Sequence, residues 1–387
     1  MQNDRQGWAD EGFGAVADAF ARNFADFPEL GSAVTVHAGG RKVVELWGGT
    51  ADERTGRPWE ADTLVPVFSC AKAVVSVCAH LLAQRGRLDL DAPVARYWPG
   101  FARNGKQAVT TRMVLAHRAG VPALDAVLTF DEVAAWTPVV RAIEEQRPLW
   151  EPDTAHEYHG HVFGFAVGEV IRRITGLTPG TWFRETLAGP LGLDVRLGLP
   201  AAELPRLARL AEAGGRRPMP GPEHLLTRIV TMNGALVFPG LDEPHGWNDP
   251  ALHAVELPGA GAVASATGLS ALFAAAVTGV TTPDGGHRDA LLTPATVADA
   301  TREISSGPGF LGFDAGARWG SGFLLPSPAF RPMLGPRSFG NDGAGGQFAF
   351  ADPDFGVAFA YTANRMIGHG DPRADLLVDA VRTSLGG

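Results

Sequence analysis

Cysteine is scarce, with two in 387 residues. Cys70 and Cys78 fall eight positions apart in one predicted helix, roughly 12 Å of rise, too far to bridge, so they read as reduced thiols. Long apolar runs are missing too. None approaches the ~20 residues that span a bilayer, so no membrane partner is expected. Residues 1–14 carry acids and amides where a secretory leader has a basic end and an apolar stretch, so a cytoplasmic address is expected. Basic runs are also lacking. The 33 Lys and Arg residues are scattered, the formal charge is -9 and the pI is near 5.7, which disfavours a phosphate backbone and nucleic acid as a partner. No internal repeat is evident, and no G-x-S-x-G pentapeptide occurs, which argues against the α/β-hydrolase fold.

What is present is a chain that is 45% hydrophobic and 19% charged, enough for a large core and two compact units. Val16, Phe20, Phe24 and Phe27 recur at helical spacing. Two β-rich runs, 33–38 and 43–47, follow around a turn at Gly39-Gly40. Helices are predicted over 71–85, 111–117, 130–145, 158–175, 180–187 and 261–277, with a surface cover over 200–222. Strand signals return at 347–351 and 356–361, before a closing helix over 373–385. With strands at both chain ends and helices between, the fold class expected is mixed α+β. An antiparallel sheet built from 1–75 and 255–387 carries a mostly helical insert, 76–254, with the active site at their interface.

The chemistry begins at Ser69-Cys70-Ala71-Lys72. A serine hydroxyl is a weak nucleophile that needs a base within hydrogen-bond reach and donors for the oxyanion. Positions i and i+3 share a helix face, so the Lys72 amine can approach Ser69 at the helix mouth. An ordinary lysine, with a pKa of about 10.4, is protonated, so this one needs burial; Val65, Phe68, Val74 and Val75 are apolar enough to provide it. Alone, S-x-x-K is as readily an N-cap serine beside a surface lysine. Tyr158-His159-Gly160 and, about 180 residues later, Asn341-Asp342-Gly343-Ala344 ahead of a strand change that balance.

The order S-x-x-K, tyrosine motif, glycine-rich turn before a strand resembles the serine β-lactamase and penicillin-binding protein superfamily, closest to its class C-like branch of family VIII carboxylesterases and related transacylases. Leu88-Asp89-Leu90-Asp91-Ala92-Pro93-Val94, the stretch from Leu115 to Pro122 and Phe350-Ala351-Asp352-Pro353 extend the likeness along most of the chain. The resemblance implies acylation of Ser69, shared proton transfer by Lys72 and Tyr158, and an oxyanion hole from the N–H groups of Ser69 and Ala344. It implies no cofactor. The expected substrate is a small-molecule ester, and the acyl acceptor is water or, in a transacylase, an amine or alcohol. A β-lactamase or peptidase, and an inactive binding homologue, are weaker alternatives. Two departures stand out: Gly160 replaces the amide of Tyr-x-Asn, and Asn341 replaces the lysine of Lys-Thr-Gly, which turns the reading away from β-lactams. Asp342 beside the hole is expected to disfavour anionic substrates.

His159, Asn341, Asp342, Gly343 and Trp319 are candidate substrate contacts by proximity to the motifs. The cluster from His156 to His161 invites a metal, but the His i, i+4 spacing fails because position 160 is glycine. His159 and His161 are instead expected to line the pocket or to satisfy backbone groups. Cys70 reads as apolar filler, and Asp89 and Asp91 as caps and turn residues. The G-x-G-x-x-A patterns at Gly12 and Gly259 read as turn and packing glycines.

Overall fold

A computed structural model describes residues 5–214, 218–238, 240–368 and 370–386. Strand β1 (Gln6–Ala9) and helix α1 (Gly14–Asp26) precede β2 (Gly31–Ala38) and β3 (Arg41–Asp52), which form the expected hairpin. Gly39 and Gly40 take φ of 55° and 77°, the left-handed state that this tight turn demands. The chain end then returns to its beginning: strand Val357–Ala363 pairs antiparallel with β2, Val357 opposite Ala38 and Ala363 opposite Ser32. Across the main sheet the order is β1, β3, β2, Val357–Ala363, Gln347–Asp352, Phe339–Gly343, Leu324–Leu325 and Arg318–Trp319, every pair antiparallel; β4 (Arg57–Pro58) attaches to β3 off this path. An antiparallel sheet drawn from both chain ends is therefore what forms.

Strand alternation gives the sheet two unlike faces. Val34, Val36, Phe348, Phe350 and Phe359 pack beneath α1 and the closing helix Arg373–Ser384. Ala33, Ala349, Ala351, Ala358 and Ala360 fill the opposite face, and their small side chains let helix Ala266–Val277 lie close against the central strands. That helix is itself rich in alanine and buried on nearly all sides. Thr35 and His37 fasten it through Thr267 (3.1 Å) and Ser270 (2.9 Å).

The helices between the sheet halves depart from expectation at three places. The helix predicted over 261–277 starts at Ala266, because 262–264 is taken up as a strand. The predicted helix over 130–145 is two helices, Phe130–Ala134 and Thr137–Glu145, broken at Trp136, whose φ is +64°. The helix predicted from 158 starts at His161, which leaves Tyr158 on the preceding turn. Strands within 76–254 also pair with strands outside that range. Strand Ala262–Ala264 pairs on one side with β5 (Val65–Phe68) and on the other with Val195–Leu197, while Ala211–Glu212 pairs with Arg365–Met366. One apolar core runs from Val77 to Phe163 and Phe339. The predicted cover over 200–222 contains a 3-10 turn, Ala201–Arg206; its residues 215–217 lie outside the described residues. Among the described residues no helix is long and apolar enough to cross a membrane.

Candidate active site

β5 ends at Phe68, a non-glycine residue with φ +47°. Such a backbone state costs on the order of 1–3 kcal/mol and persists only where the surroundings hold it. Here the Phe68 ring lies 4.4 Å from that of Trp247. The turn delivers Ser69 to the mouth of α2 (Ala71–Gln84), a helix buried from Ala71 to Leu82. Three positions on, Lys72 folds back to the serine. Its Nζ donates to Tyr158 OH at 2.7 Å, to the Gly259 carbonyl at 2.7 Å and to Ser69 Oγ at 3.3 Å. Ser69 Oγ and Tyr158 OH are 2.5 Å apart.

Buried histidines hold the backbone around Tyr158. His159 Nδ1–H donates to the Glu157 carbonyl at 2.6 Å, its Nε2 accepts from Val121 N–H at 3.2 Å, and its own N–H donates to His117 Nδ1 at 3.1 Å. His117 backs the phenol, with ring centroids 5.2 Å apart, and Trp319 packs edge-on to His117 at 5.4 Å. Gly164 closes the arrangement from the helix side. A Cβ there would sit 2.0 Å from Gly259 N, so glycine lets helix His161–Thr175 reach the segment whose carbonyl receives Lys72.

The third motif approaches from strand Phe339–Gly343. A Cβ on Gly343 would lie 2.3 Å from the Val67 carbonyl, so this glycine permits the strand to touch the segment that carries the nucleophile. Past Ala344, the Gly345 carbonyl accepts from Arg373 Nη2 at 3.1 Å. Arg373 is fully buried and paired with Glu29 and Asp371, each at 2.7 Å, so an ion network anchors the loop. The Asn341 carbonyl accepts from Cys70 Sγ–H at 3.1 Å, which occupies that thiol as structure. Asp342 sits opposite Phe348 in the sheet, 3.5 Å from the Arg331 guanidinium. Its charge therefore meets a cation, which weakens the repulsion of anions expected from sequence alone.

Burial dominates the electrostatics. It lowers the Lys72 pKa to about 7, against an opposing pull from Asp342. It pushes the Tyr158 phenol and the Cys70 thiol well up, so both stay protonated near neutrality. His159 and His161 are lowered to about 4 by the same cause.

Ser69, Lys72, Tyr158 and Ala344 meet at a cavity of about 60 Å³. Phe68, Val230, Phe238, Trp247 and Ala260 form its apolar wall, and Gly160 and His161 complete it. Of these, sequence reasoning missed Val230, Phe238, Trp247 and Ala260 entirely. His159, Trp319, Asn341, Asp342 and Gly343, the expected substrate contacts, do not line the cavity. His159 is consumed by backbone bonds and Trp319 by His117 and His156. Among the described residues no group of three or more His, Cys, Asp or Glu is placed to hold a metal. Asp89 and Asp91 serve a turn and an ion pair with Arg112.

The fold and the placement of these motifs define a β-lactamase-like protein. The family model described as Beta-lactamase matches residues 20–383, and the chain belongs to that family. The Esterase/beta-lactamase LipL of Mycobacterium tuberculosis is 32% identical over 380 residues, spanning 93% of this chain and 83% of LipL. Among solved structures, a family VIII carboxylesterase superposes with a TM-score of 0.88 at 33% identity, covering 98% of this chain and 100% of the other. EstA from Arthrobacter nitroguajacolicus Rue61a gives a TM-score of 0.88 at 32% identity, covering 100% and 99%. A penicillin-binding protein homologue from Caulobacter crescentus gives 0.85 at 35% identity, covering 98% and 100%.

Proposed function

We propose that the chain is a carboxylesterase-like hydrolase that forms an acyl-enzyme on Ser69, in a cleft between the sheet unit (1–75 and 255–387) and the insert (76–254). One observation carries the reading: Ser69 Oγ, Tyr158 OH and Lys72 Nζ form a closed triangle of 2.5, 2.7 and 3.3 Å. The cavity lining supports the location. Phe68, Ser69, Lys72, Ala260 and Ala344 come from the sheet unit, whereas Tyr158, His161, Val230, Phe238 and Trp247 come from the insert. Relatives named esterase and carboxylesterase support the reaction class.

The shorter proton path runs through the phenol. Ser69 passes its proton to the Tyr158 oxygen as Tyr158 passes its own to the free amine of Lys72; the direct step to Lys72 is longer, at 3.3 Å. Tyr158 begins and ends as a neutral phenol, in keeping with its raised pKa, and Lys72 gains the charge. The two titrate as a coupled pair. The N–H groups of Ser69 and Ala344 are assigned to the oxyanion. The Lys72 ammonium then returns a proton, through Tyr158, to the departing alkoxide, and water releases the acyl group by the same relay. An amine or alcohol acceptor would follow the same route.

The apolar wall suits an uncharged ester, and Asn341 offers no cation to a substrate carboxylate. Reaction with a fluorophosphonate probe and turnover of p-nitrophenyl acetate test the proposal. Both are expected in the wild type and lost in Ser69→Ala. Equal labelling and equal turnover in the two proteins would remove it.

A further inference from the structure

The cavity contains one polar group that the acyl-transfer proposal does not use. His161 opens helix His161–Thr175, lines the cavity with Ser69 and Tyr158, and is 4% exposed. Its two ring nitrogens differ. Nε2 faces the Val230 carbonyl at 3.1 Å, and because a carbonyl only accepts, Nε2 carries the proton. The ring is neutral, because burial, with Lys72 nearby, holds its pKa at about 4. Nδ1 is therefore an acceptor, and it is buried with no hydrogen-bond partner among the described residues. His159, two positions earlier, has both nitrogens matched by backbone groups, as buried histidines generally do.

The backbone carrying His161 is clamped. A Cβ on Gly160 would meet the Ile229 carbonyl at 2.8 Å, and one on Gly259 would meet the His161 Cα at 3.0 Å. Apart from Ser69, Lys72 and Tyr158, which bond one another, no other side chain of the cavity lining has a free donor to offer; the Trp247 N–H is already bonded to the Val237 carbonyl at 3.1 Å. Of the polar side-chain atoms in the described lining, His161 Nδ1 is the one left buried and unmatched.

We propose that His161 is a specificity-determining residue whose Nδ1 accepts a hydrogen bond from a hydroxyl that the ester substrate carries near its reacting carbonyl. The inference rests on the acyl-enzyme reading above and names the substrate class for that same site, hydroxy-substituted esters. A buried acceptor that only the substrate can satisfy rejects an analogue without the donor more strongly than an apolar pocket rejects a change in size.

The experiment pairs p-nitrophenyl esters of 2-hydroxybutanoic and 3-hydroxybutanoic acid with their methyl ethers, each rate normalised to alkaline hydrolysis. For the wild type, kcat/KM for the better hydroxy ester is expected to exceed that of its ether about tenfold, the equivalent of one neutral hydrogen bond of about 1.4 kcal/mol. In His161→Leu the ratio is expected to fall to about one, and in His161→Asn, which keeps an acceptor, to stay in between. The ratio does not depend on the fraction of folded enzyme, and fluorophosphonate titration counts active sites in each variant. A wild-type ratio near one for both pairs, or a ratio unchanged in His161→Leu, overturns the proposal. If Ser69→Ala hydrolyses these esters at the wild-type rate, the acyl-enzyme reading fails instead; Ser69-dependent hydrolysis with a ratio of one sinks the His161 role alone.

Discussion

The two sides of the cavity are built on different physics. On one, Ser69, Lys72 and Tyr158 are fixed by directional bonds, with Lys72 held at three points and the Tyr158 turn tied down through His159 and His117. On the other, Phe68, Phe238 and Trp247 hold one another by packing, with ring centroids 4.4 to 6.5 Å apart. Hydrogen bonds set atomic positions tightly and fail abruptly, whereas apolar contact is non-directional and tolerates a change of shape. Damage to the polar wall should therefore lower the rate, and changes in the apolar wall should redirect the substrate.

The largest expected effect lies beneath the polar wall. Arg373→Met leaves Glu29 and Asp371 buried without their cation and frees the Gly345 carbonyl. It should reduce unfolding free energy by about 3–5 kcal/mol in urea titration, the usual penalty for breaking a buried pair. A loss under about 1 kcal/mol would mean that the network does not anchor the loop. Next, Lys72→Ala should cost at least about 100-fold in kcat. Adding Tyr158→Phe should cost little more than either single change, because the two residues act as one relay. Fully multiplicative losses would separate their roles.

The pH profile gives a smaller signal of known sign. Burial disfavours the Lys72 ammonium and lowers its pKa to about 7, so the free amine required for the first proton transfer grows as pH rises. Accordingly kcat/KM should fall about tenfold per unit below pH 7 and level off above it. A profile flat from pH 5 to 8 would remove Lys72 as the base. The smallest effect belongs to the apolar wall. Val230→Ala should alter p-nitrophenyl acetate turnover by only a few-fold while shifting the hexanoate-to-acetate kcat/KM ratio up by about tenfold or less. A collapse of acetate turnover would show that the apolar wall also sets the catalytic geometry.

The same contrast governs what the sequence reveals. Ser69 and Lys72 are legible because i, i+3 spacing in a helix places them together whatever the rest of the chain does. The sheet is legible because alternating runs at 33–38 and 356–361 announce strands at both ends. Tyr158 follows from the motif order, but its place ahead of the helix is not legible, because the His159 bonds reach Val121 and His117, 38 and 42 positions away, and Gly160 packs against Ile229. Val230, Phe238 and Trp247 carry no signal: Val230 lies in the short helix Leu225–Thr231, and Phe238 and Trp247 lie in irregular segments that meet Phe68 only after folding. The choice between His159 and His161 is equally illegible. The two are the same residue type two positions apart, and only Val121, Glu157 and Val230 decide which one reaches the cavity.

The most direct measurement is rapid-quench mass spectrometry with p-nitrophenyl acetate, with peptide mapping of the protein stopped within the first turnover. The expected result is one acetyl group per chain on the peptide containing Ser69, formed faster at pH 8 than at pH 6. Full turnover with the acetyl group on any other residue would contradict the acyl-enzyme on Ser69 and the relay built around it.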